Sequence, residues 1–203
     1  MENKRLSALA EVLRARGYRA TVLPSASAAT EYLTKALSGL TVGLGGSMSA
    51  LELGLDTALP PVCRMHWHWK PQNGRTADEE LEAAARAEVY LSSVNAIAES
   101  GEIVNIDGNC NRVAATLYGH RRVIFIVGRN KIAPTEAEAV ARARNVAAPK
   151  NAARLHRATP CTADGVCHDC RSPERICRAL SVLWCAPRGA DYEVLLIDED
   201  LGY

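Results

Sequence analysis

The segment VIFIVG, residues 123–128, followed by Arg129, Asn130 and Lys131, indicates the fold most directly. A continuous apolar run of strand length that ends at glycine predicts a strand buried on both faces, as in parallel sheets covered by helices. Arg129 and Lys131 would then follow the carboxyl end of that strand, where open α/β sheets gather their ligands. The segment therefore predicts a core strand with an anion-binding site beyond its end.

Helix and strand patterns alternate on both sides of this segment. The alternation predicts an α/β fold in which a mostly parallel sheet is flanked by helices. We expect a single domain over residues 1–203, with a Cys-rich loop segment at about 155–180. The predicted strands are YRATVLP (18–24), LTVGLGG (40–46), VCRMHWHW (62–69), VYLSSVNAI (89–97), GEIVNID (101–107), SVLWCAP (181–187) and YEVLLID (192–198), and the predicted helices cover about 6–16, 25–40, 48–54, 75–88, 112–119 and 135–144.

Composition narrows the classes of partner and compartment. Lys and Arg total 24 and Asp and Glu total 23, so the charge gives no basis for a nucleic-acid partner. The charged N-terminus resembles no secretory signal, and no apolar run approaches the roughly 20 residues that cross a bilayer. We therefore expect a cytoplasmic protein without membrane insertion. In that reducing compartment, seven cysteines favour metal binding or catalysis over disulfides.

Four of the cysteines predict a metal site. Cys161, Cys167, Cys170 and Cys177 follow the pattern C-x5-C-x2-C-x6-C in a loop segment with little apolar area to order it. Zinc usually takes two short Cys pairs or Cys with His, and only one short pair occurs here. Iron–sulfur clusters accept such uneven spacing because their ligands surround a larger body. The spacing favours a [4Fe-4S] cluster, and structural zinc and no metal remain alternatives.

Positive charge surrounds the four cysteines in the sequence. Arg171, Arg175 and Arg178 lie among or beside them, and cations stabilise an anionic cluster with thiolate ligands. His168 is an alternative ligand, although a solvent-facing imidazole is the favoured interpretation.

The other three cysteines have separate interpretations. Cys185 and Cys63 lie in apolar runs and are expected to be buried packing residues. Cys110 follows an Asp-Gly-Asn turn, where a spectator thiol is favoured over a reactive one.

A glycine-rich turn is the first candidate anion site. Gly45, Gly46 and Ser47 lie in GLGGSMS (43–49), between a predicted strand and a predicted helix, where free backbone N–H groups favour an anion. The motif lacks the lysine of a P-loop and the full dinucleotide-binding pattern. The expected guest is the carboxylate or phosphate of a small metabolite, and a simple tight turn is the alternative.

Polar residues at the predicted strand ends form the second candidate site. Asn95, Asn105 and Arg112 are expected to bind the acid together with Arg129 and Lys131. Glu102 and Asp107 are the candidates for proton transfer. The alternative is that the Asn and Asp residues only stabilise turns.

Several motifs together resemble one family. GLGGSMS (43–49), SVNAIAESGEIVNIDGNCNRVAA (93–115), VIFIVGRNKI (123–132), APKNAARL (148–155), TPC (159–161) and CHDCRSPERIC (167–177) resemble the lactate-utilisation (LUD) domain family, over about Val42–Tyr203. The resemblance implies a fold similar to the sugar-isomerase and CoA-transferase type, and a link with bacterial oxidation of lactate and related acids. The family pattern implies glycine at the position of Cys110.

Three functions follow as hypotheses. The first is a [4Fe-4S] protein in the oxidation or utilisation of lactate or related hydroxy or sugar acids, in which the cluster relays electrons to a partner protein or binds the acid. The second is a metabolite-binding or regulatory module with structural zinc. The third is a CoA-transferase-like enzyme in which the Glu102 carboxylate forms an acyl anhydride. Whether chemistry occurs on this chain, and its oligomeric state, are left open by the sequence.

Overall fold

Strand β7 (Arg122–Gly128) lies inside a six-stranded sheet with the order β1-β10-β7-β4-β2-β3. This is a computed structural model that describes residues 3–203, so the first two residues of the predicted domain lie outside it. All neighbouring strands in this sheet are parallel, and helices cover both faces. The predicted α/β fold with a mostly parallel, helix-flanked sheet is thus confirmed.

The remaining elements have the following bounds. The strands are β1 (Arg19–Leu23), β2 (Thr41–Leu44), β3 (Arg64–Trp67), β4 (Val89–Ser93), β5 (Ala96–Ala98), β6 (Ile103–Asp107), β8 (Ile132–Ala133), β9 (Ala179–Leu183) and β10 (Asp191–Ile197). The helices are α1 (Lys4–Ala15), α2 (Ala26–Ala36), α3 (Met48–Glu52), α4 (Leu55–Ala58), α5 (Ala77–Ala84), α6 (Asn111–Leu117), α7 (Glu136–Arg142), α8 (Ala148–Arg154) and α9 (Cys161–Asp164).

A second, four-stranded sheet has the order β8-β5-β6-β9 and was not predicted. Its β5–β6 and β6–β9 pairs are antiparallel, whereas β5 and β8 are parallel. The predicted strand at 89–97 is in fact two strands, since β4 belongs to the first sheet and β5 to the second. The chain therefore changes sheets at Val94 and Asn95.

The helix predicted at 135–144 continues beyond its expected end. Thr135 caps α7, and Ala143–Ala147 then form a π turn that leads into α8. The N–H of Ala148 donates to the carbonyl oxygen of Ala143, five residues earlier. Pro149 follows and has no N–H to donate. The wider turn joins α7 to α8 in one continuous helical segment.

The core consists of apolar layers on the faces of the first sheet and a smaller cluster at the second. Phe125, Val194 and Leu196 pack with α1, while Ile124, Ile126 and Leu195 pack on the opposite side with α2 and α4. The smaller cluster joins α7 to β5, β6 and β8. Within residues 3–203, no helix combines the length and apolar character that a bilayer span requires.

Replacement of Phe125 by alanine tests the central position of β7. Phe125 is fully buried, so its truncation should lower the free energy of unfolding by about 3–5 kcal/mol. Tyr118→Ala is the matched control, because Tyr118 is 89% exposed and its loss should change stability by less than about 0.5 kcal/mol. Urea denaturation measures both, and equal effects of the two substitutions would contradict the assignment.

Candidate functional site

A cavity of about 300 Å³ lies at the carboxyl ends of strands β2, β4 and β7. The turn after β2 contributes Gly46 and Ser47, the end of β4 contributes Ser93, and the segment after β7 contributes Lys131. Parallel strands bring these separate sequence positions to one edge of the sheet. Further lining residues come from the β6–α6 turn, α8 and the segments beside them: His68, Trp69, Asn95, Asp107, Asn109, Arg112, Asn151, Arg154, Arg157 and Tyr203.

Arg112 of α6 is half-buried in the wall of this cavity and is bound only by neutral oxygen atoms. Its Nη1 donates to the main-chain oxygen of Ser93 at 3.2 Å and to Asn105 Oδ1 at 2.5 Å. Its Nη2 donates to Asn95 Oδ1 at 3.3 Å and to the main-chain oxygen of Ile106 at 2.8 Å. No carboxylate among residues 3–203 forms an ion pair with this guanidinium.

Lys131 is the most buried cation of the site, with 3% exposure. Its Nζ lies 2.8 Å from Ser49 Oγ and 2.5 Å from Ser93 Oγ. Burial, together with the nearby charges of Arg142 and Arg112, lowers the pKa of Lys131 to about 7, although Glu52 acts in the opposite direction. Lys131 therefore titrates near neutral pH.

Arg142 of α7 is a third nearby cation, and it is held by main-chain oxygens. Its Nε donates to the main-chain oxygen of Asn130 at 2.9 Å, and its Nη1 to those of Asn95 at 2.5 Å and Tyr203 at 3.1 Å. Buried or half-buried cations are normally paired with anions. No Asp or Glu side chain among residues 3–203 forms an ion pair with Lys131, Arg112 or Arg142, which makes their surroundings suited to an anionic ligand.

Two more arginines extend the positive lining. Arg154 lies with its Cζ 4.4 Å from the ring centroid of Trp69, and Arg157 lines the same cavity. Among the described lining residues the one carboxylate is Asp107, whose oxygens accept the N–H groups of the β6–α6 turn and α6. His68 adds a buried Nδ1 that has no hydrogen-bond partner within residues 3–203.

The structure brings most of the predicted acid-binding residues together. Gly46, Ser47, Asn95, Asp107, Arg112 and Lys131 line the cavity. Asn105 lies behind it and accepts from Arg112. Gly45 lies against Arg112 and Tyr90, and a Cβ there would lie 2.7 Å from the Tyr90 hydroxyl. Only glycine fits at this point.

Two predicted residues do not reach the cavity. Arg129 is exposed and pairs with Asp198 at 3.3 Å and Asp200 at 3.1 Å. Glu102 is buried elsewhere, pairs with Arg16 at 2.6 Å and accepts from the Ser100 hydroxyl. Their predicted roles gain no support from their positions.

The four clustered cysteines line a second cavity of about 210 Å³. Burial raises the pKa of the Cys177 thiol, and nearby Cys167, Cys161 and Cys170 raise it further, whereas Arg175 lowers it. The four sulfur atoms therefore lie close enough to interact electrostatically. Together they form a soft, thiolate-type donor set.

The arrangement of these donors bears on which metal group would fit. Within residues 3–203, no three His, Cys, Asp or Glu side chains are grouped around a position for one metal ion. This result applies to zinc and to the irons of a cluster alike, so the side-chain positions favour neither group.

Positive charge also surrounds the cysteine cavity. Arg175 donates to the main-chain oxygens of Cys170 and Cys177, each at 2.7 Å, and Arg178 also lines the cavity. Arg144, from the π turn, lies with Nη2 3.8 Å from Cys167 Sγ. Among the predicted neighbours, Arg171 does not line the cavity.

His168 lines the same cavity but is 2.7 Å from Asp164 through its Nε2. The side chain is 45% exposed, in accord with the favoured solvent-facing interpretation.

The two cavities share a wall. Ile106 of β6 and Ala148 at the start of α8 line both of them. A group held by the cysteines would therefore lie across this shared wall from a ligand of the cationic cavity.

The other cysteines lie outside both cavities. Cys110 is exposed and has φ +64°, a left-handed conformation that favours glycine, as the family pattern implies for this position. Cys185 is exposed, so the prediction that it is a buried packing residue was wrong: β9 ends at Leu183, before it. Cys63 is partly buried against the core, as expected.

Sequence reasoning missed several residues of the site. Ser49 and Ser93 were read as parts of a turn and a strand, and no local pattern marks them as partners of Lys131. Arg142 and Arg144 lie at the end of the helix predicted at 135–144, Arg154 lies beyond it, and none was assigned a role in the site. Their repeated occurrence on one helical segment after an anion-site motif was the available signal.

The titration of Lys131 makes a testable contribution to stability. Because the folded-state pKa lies below the unfolded value of 10.5, the unfolded chain binds more protons between these values and folding stability rises with pH across that range. Lys131→Met removes this dependence. Between about pH 6 and pH 9, the free energy of unfolding of the wild type should therefore rise by about 2–3 kcal/mol relative to that of the variant.

Chemical denaturation in a buffer without carboxylates or phosphates measures this difference. Lys35→Met is the matched control, because Lys35 is 75% exposed on α2. A pH-independent difference between wild type and Lys131→Met would contradict the perturbed titration.

Comparisons with known proteins complete the description of the site. A family model described as the LUD domain matches residues 6–197. Among solved structures, the chain is similar to the crystal structure of a DUF162 family protein from Deinococcus radiodurans, with 16% identity, a TM-score of 0.54 and coverage of 96% of each chain. At this identity the likeness shows the fold alone. A search of curated proteins found no match.

Proposed function

The chain belongs to the LUD domain family, and on that premise we propose that it is an iron–sulfur protein in the utilisation of lactate or related hydroxy or sugar acids. The observation that carries the proposal is the shared wall between a four-cysteine cavity and a cationic cavity. The first cavity would hold a [4Fe-4S] cluster and the second would hold the acid.

The cationic cavity supports the binding of a small organic acid. Its volume of about 300 Å³ is at the lower end of the usual range for ligand sites. Arg112, Arg154 and Arg157 line it without an ion pair to any Asp or Glu side chain among residues 3–203, so a carboxylate would neutralise charge that the protein leaves uncompensated.

The cysteine cavity supports a cluster as cofactor. Cys161, Cys167, Cys170 and Cys177 would hold it, and a bound cluster would supply one-electron transfer. Arg144, Arg175 and Arg178 would offset its negative charge. If all four cysteines ligate, the cluster relays electrons; if three do, one iron remains open to the acid.

The proposal includes a redox partner protein and a place in the cytoplasm. Arg144 and Arg175 beside the cysteine cavity are 42% and 32% exposed and both pair with Asp169, at 3.1 and 3.0 Å, so a partner would meet charges of both signs there. The cytoplasmic assignment rests on the reduced state that seven thiols require.

One alternative has less support from the site. CoA transfer needs an unengaged carboxylate near the substrate, and Glu102 is instead paired with Arg16 away from the cavity. Structural zinc at the same four cysteines is distinguished from a cluster by the metal and sulfide content of the purified protein.

Anaerobic purification tests the cofactor. We expect a brown protein with iron and acid-labile sulfide, and serine at Cys161, Cys167, Cys170 or Cys177 should reduce both contents and the broad visible absorption. Cys185→Ser is the matched control, because Cys185 lies outside the cavity and should leave the spectrum unchanged. A colourless protein that contains zinc, or an unchanged spectrum in all four variants, would overturn the cluster.

Calorimetric titration with lactate tests the acid cavity. Arg154→Gln should weaken lactate binding by about tenfold or more, because it removes a charged hydrogen-bond donor from the lining. The control is Arg188→Gln, since Arg188 is exposed and lines neither cavity. If lactate and other small acids bind neither wild type nor control, the acid-binding part of the proposal fails.

A further inference from the structure

The hydrogen bonds of Lys131 match a neutral amine. The Ser93 hydroxyl donates to the main-chain oxygen of Ile126 at 2.8 Å, and the Ser49 hydroxyl donates to that of Leu201 at 3.2 Å. Each serine oxygen then accepts from Nζ of Lys131. These two acceptors satisfy the two N–H groups of a neutral amine and leave its lone pair free, whereas the third N–H of an ammonium has no acceptor in the described chain.

The charges around Lys131 favour the same state. Arg142 from α7 and Arg112 from α6 are cations that keep their protons, and Glu52 from α3 is the nearby carboxylate. Glu52 makes no ion pair with Lys131, and its Oε2 accepts the N–H of Gly202 at 2.5 Å. Of the three clustered cations, Lys131 alone can relieve the repulsion by losing its proton.

We propose that Lys131 binds a small 2-oxo acid covalently, as an imine, in the cationic cavity. A buried amine beside other cations is the arrangement that activates lysine as a nucleophile toward carbonyl groups. The arginines of the lining would bind the carboxylate of the ligand, and the amine of Lys131 would react with its carbonyl group. The inference rests on the proposed function only in requiring that this cavity accept a carboxylate.

The reaction balances without an oxidant or reductant. The Nζ lone pair forms a bond to the carbonyl carbon, and the carbonyl oxygen takes up a proton. The resulting carbinolamine then loses its oxygen and the two amine hydrogens as water, which leaves a carbon–nitrogen double bond. Ser93 lines the cavity and contacts Nζ, so its hydroxyl is placed to carry a proton between nitrogen and oxygen. Water reverses the reaction and releases the acid.

Borohydride trapping of the purified protein tests the proposal. With pyruvate present, reduction should leave a stable pyruvate-derived adduct, and peptide mapping by mass spectrometry should place it on Lys131. Lactate has the same carboxylate but no carbonyl, and should leave no adduct. The yield should rise with pH through about 7 as Lys131 loses its proton.

Two variants serve as controls. Lys131→Met should abolish the adduct, and Lys35→Met should retain it, because Lys35 is exposed on α2 and bonded to Glu31 at 2.6 Å. Peptide mapping on the wild-type protein identifies the modified lysine even if Lys131→Met fails to fold. An adduct spread over exposed lysines, or no adduct at saturating pyruvate, overturns the imine.

Failure of this inference is distinguishable from failure of the proposed function. If pyruvate binds reversibly in calorimetry but is never trapped, Lys131 is only an ion-pairing residue and the acid cavity stands. If neither pyruvate nor lactate binds, the acid cavity itself is refuted.

Discussion

The guanidinium of Arg112 joins the two sheets. Its four hydrogen bonds reach the end of β4 in the first sheet, the crossing segment at Asn95, and β6 in the second sheet. All acceptors are neutral, so the bonds fix the geometry without cancelling the charge. The same guanidinium therefore holds the strand ends in place and supplies positive charge to the cavity wall.

The helical segment from α7 through α8 lies beside both the cationic cavity and the cysteine cavity. Arg142 reaches toward the oxygens around Lys131, whereas Arg144, two residues later, reaches Cys167. The π turn lies between these helices and ends next to Ala148, which lines both cavities. The π turn thus contributes Arg144 to the cysteine cavity and leads into the wall between the two cavities, whereas Arg142, at the end of α7, lines neither of them.

The sequence predicted the elements that depend on local patterns. The apolar run at 123–128, the capped helix at Thr76 and the position of Lys131 after β7 follow from periodicity and strand length. The second sheet was missed because β8 has two residues and β5 three, too few for a pattern. The contacts of Ser49 and Ser93 with Lys131 were missed because these residues are distant in sequence and meet only in the folded sheet. The position of Glu102 was missed because it depends on an ion pair with Arg16, 86 residues away.

The order of strands has a consequence for how the chain folds. Strand β10 lies between β1 and β7, and the bonded pair Arg19 and Asp191 are 172 residues apart in sequence. During synthesis, β1 has no neighbour in the sheet until nearly all of the described chain has emerged. Such distant parallel pairing gives a high contact order, and it favours slow folding with exposed strand edges in the incomplete chain. Strand β10 is the last strand of this sheet to be synthesised, and β1 can pair in the sheet only after β10 has emerged.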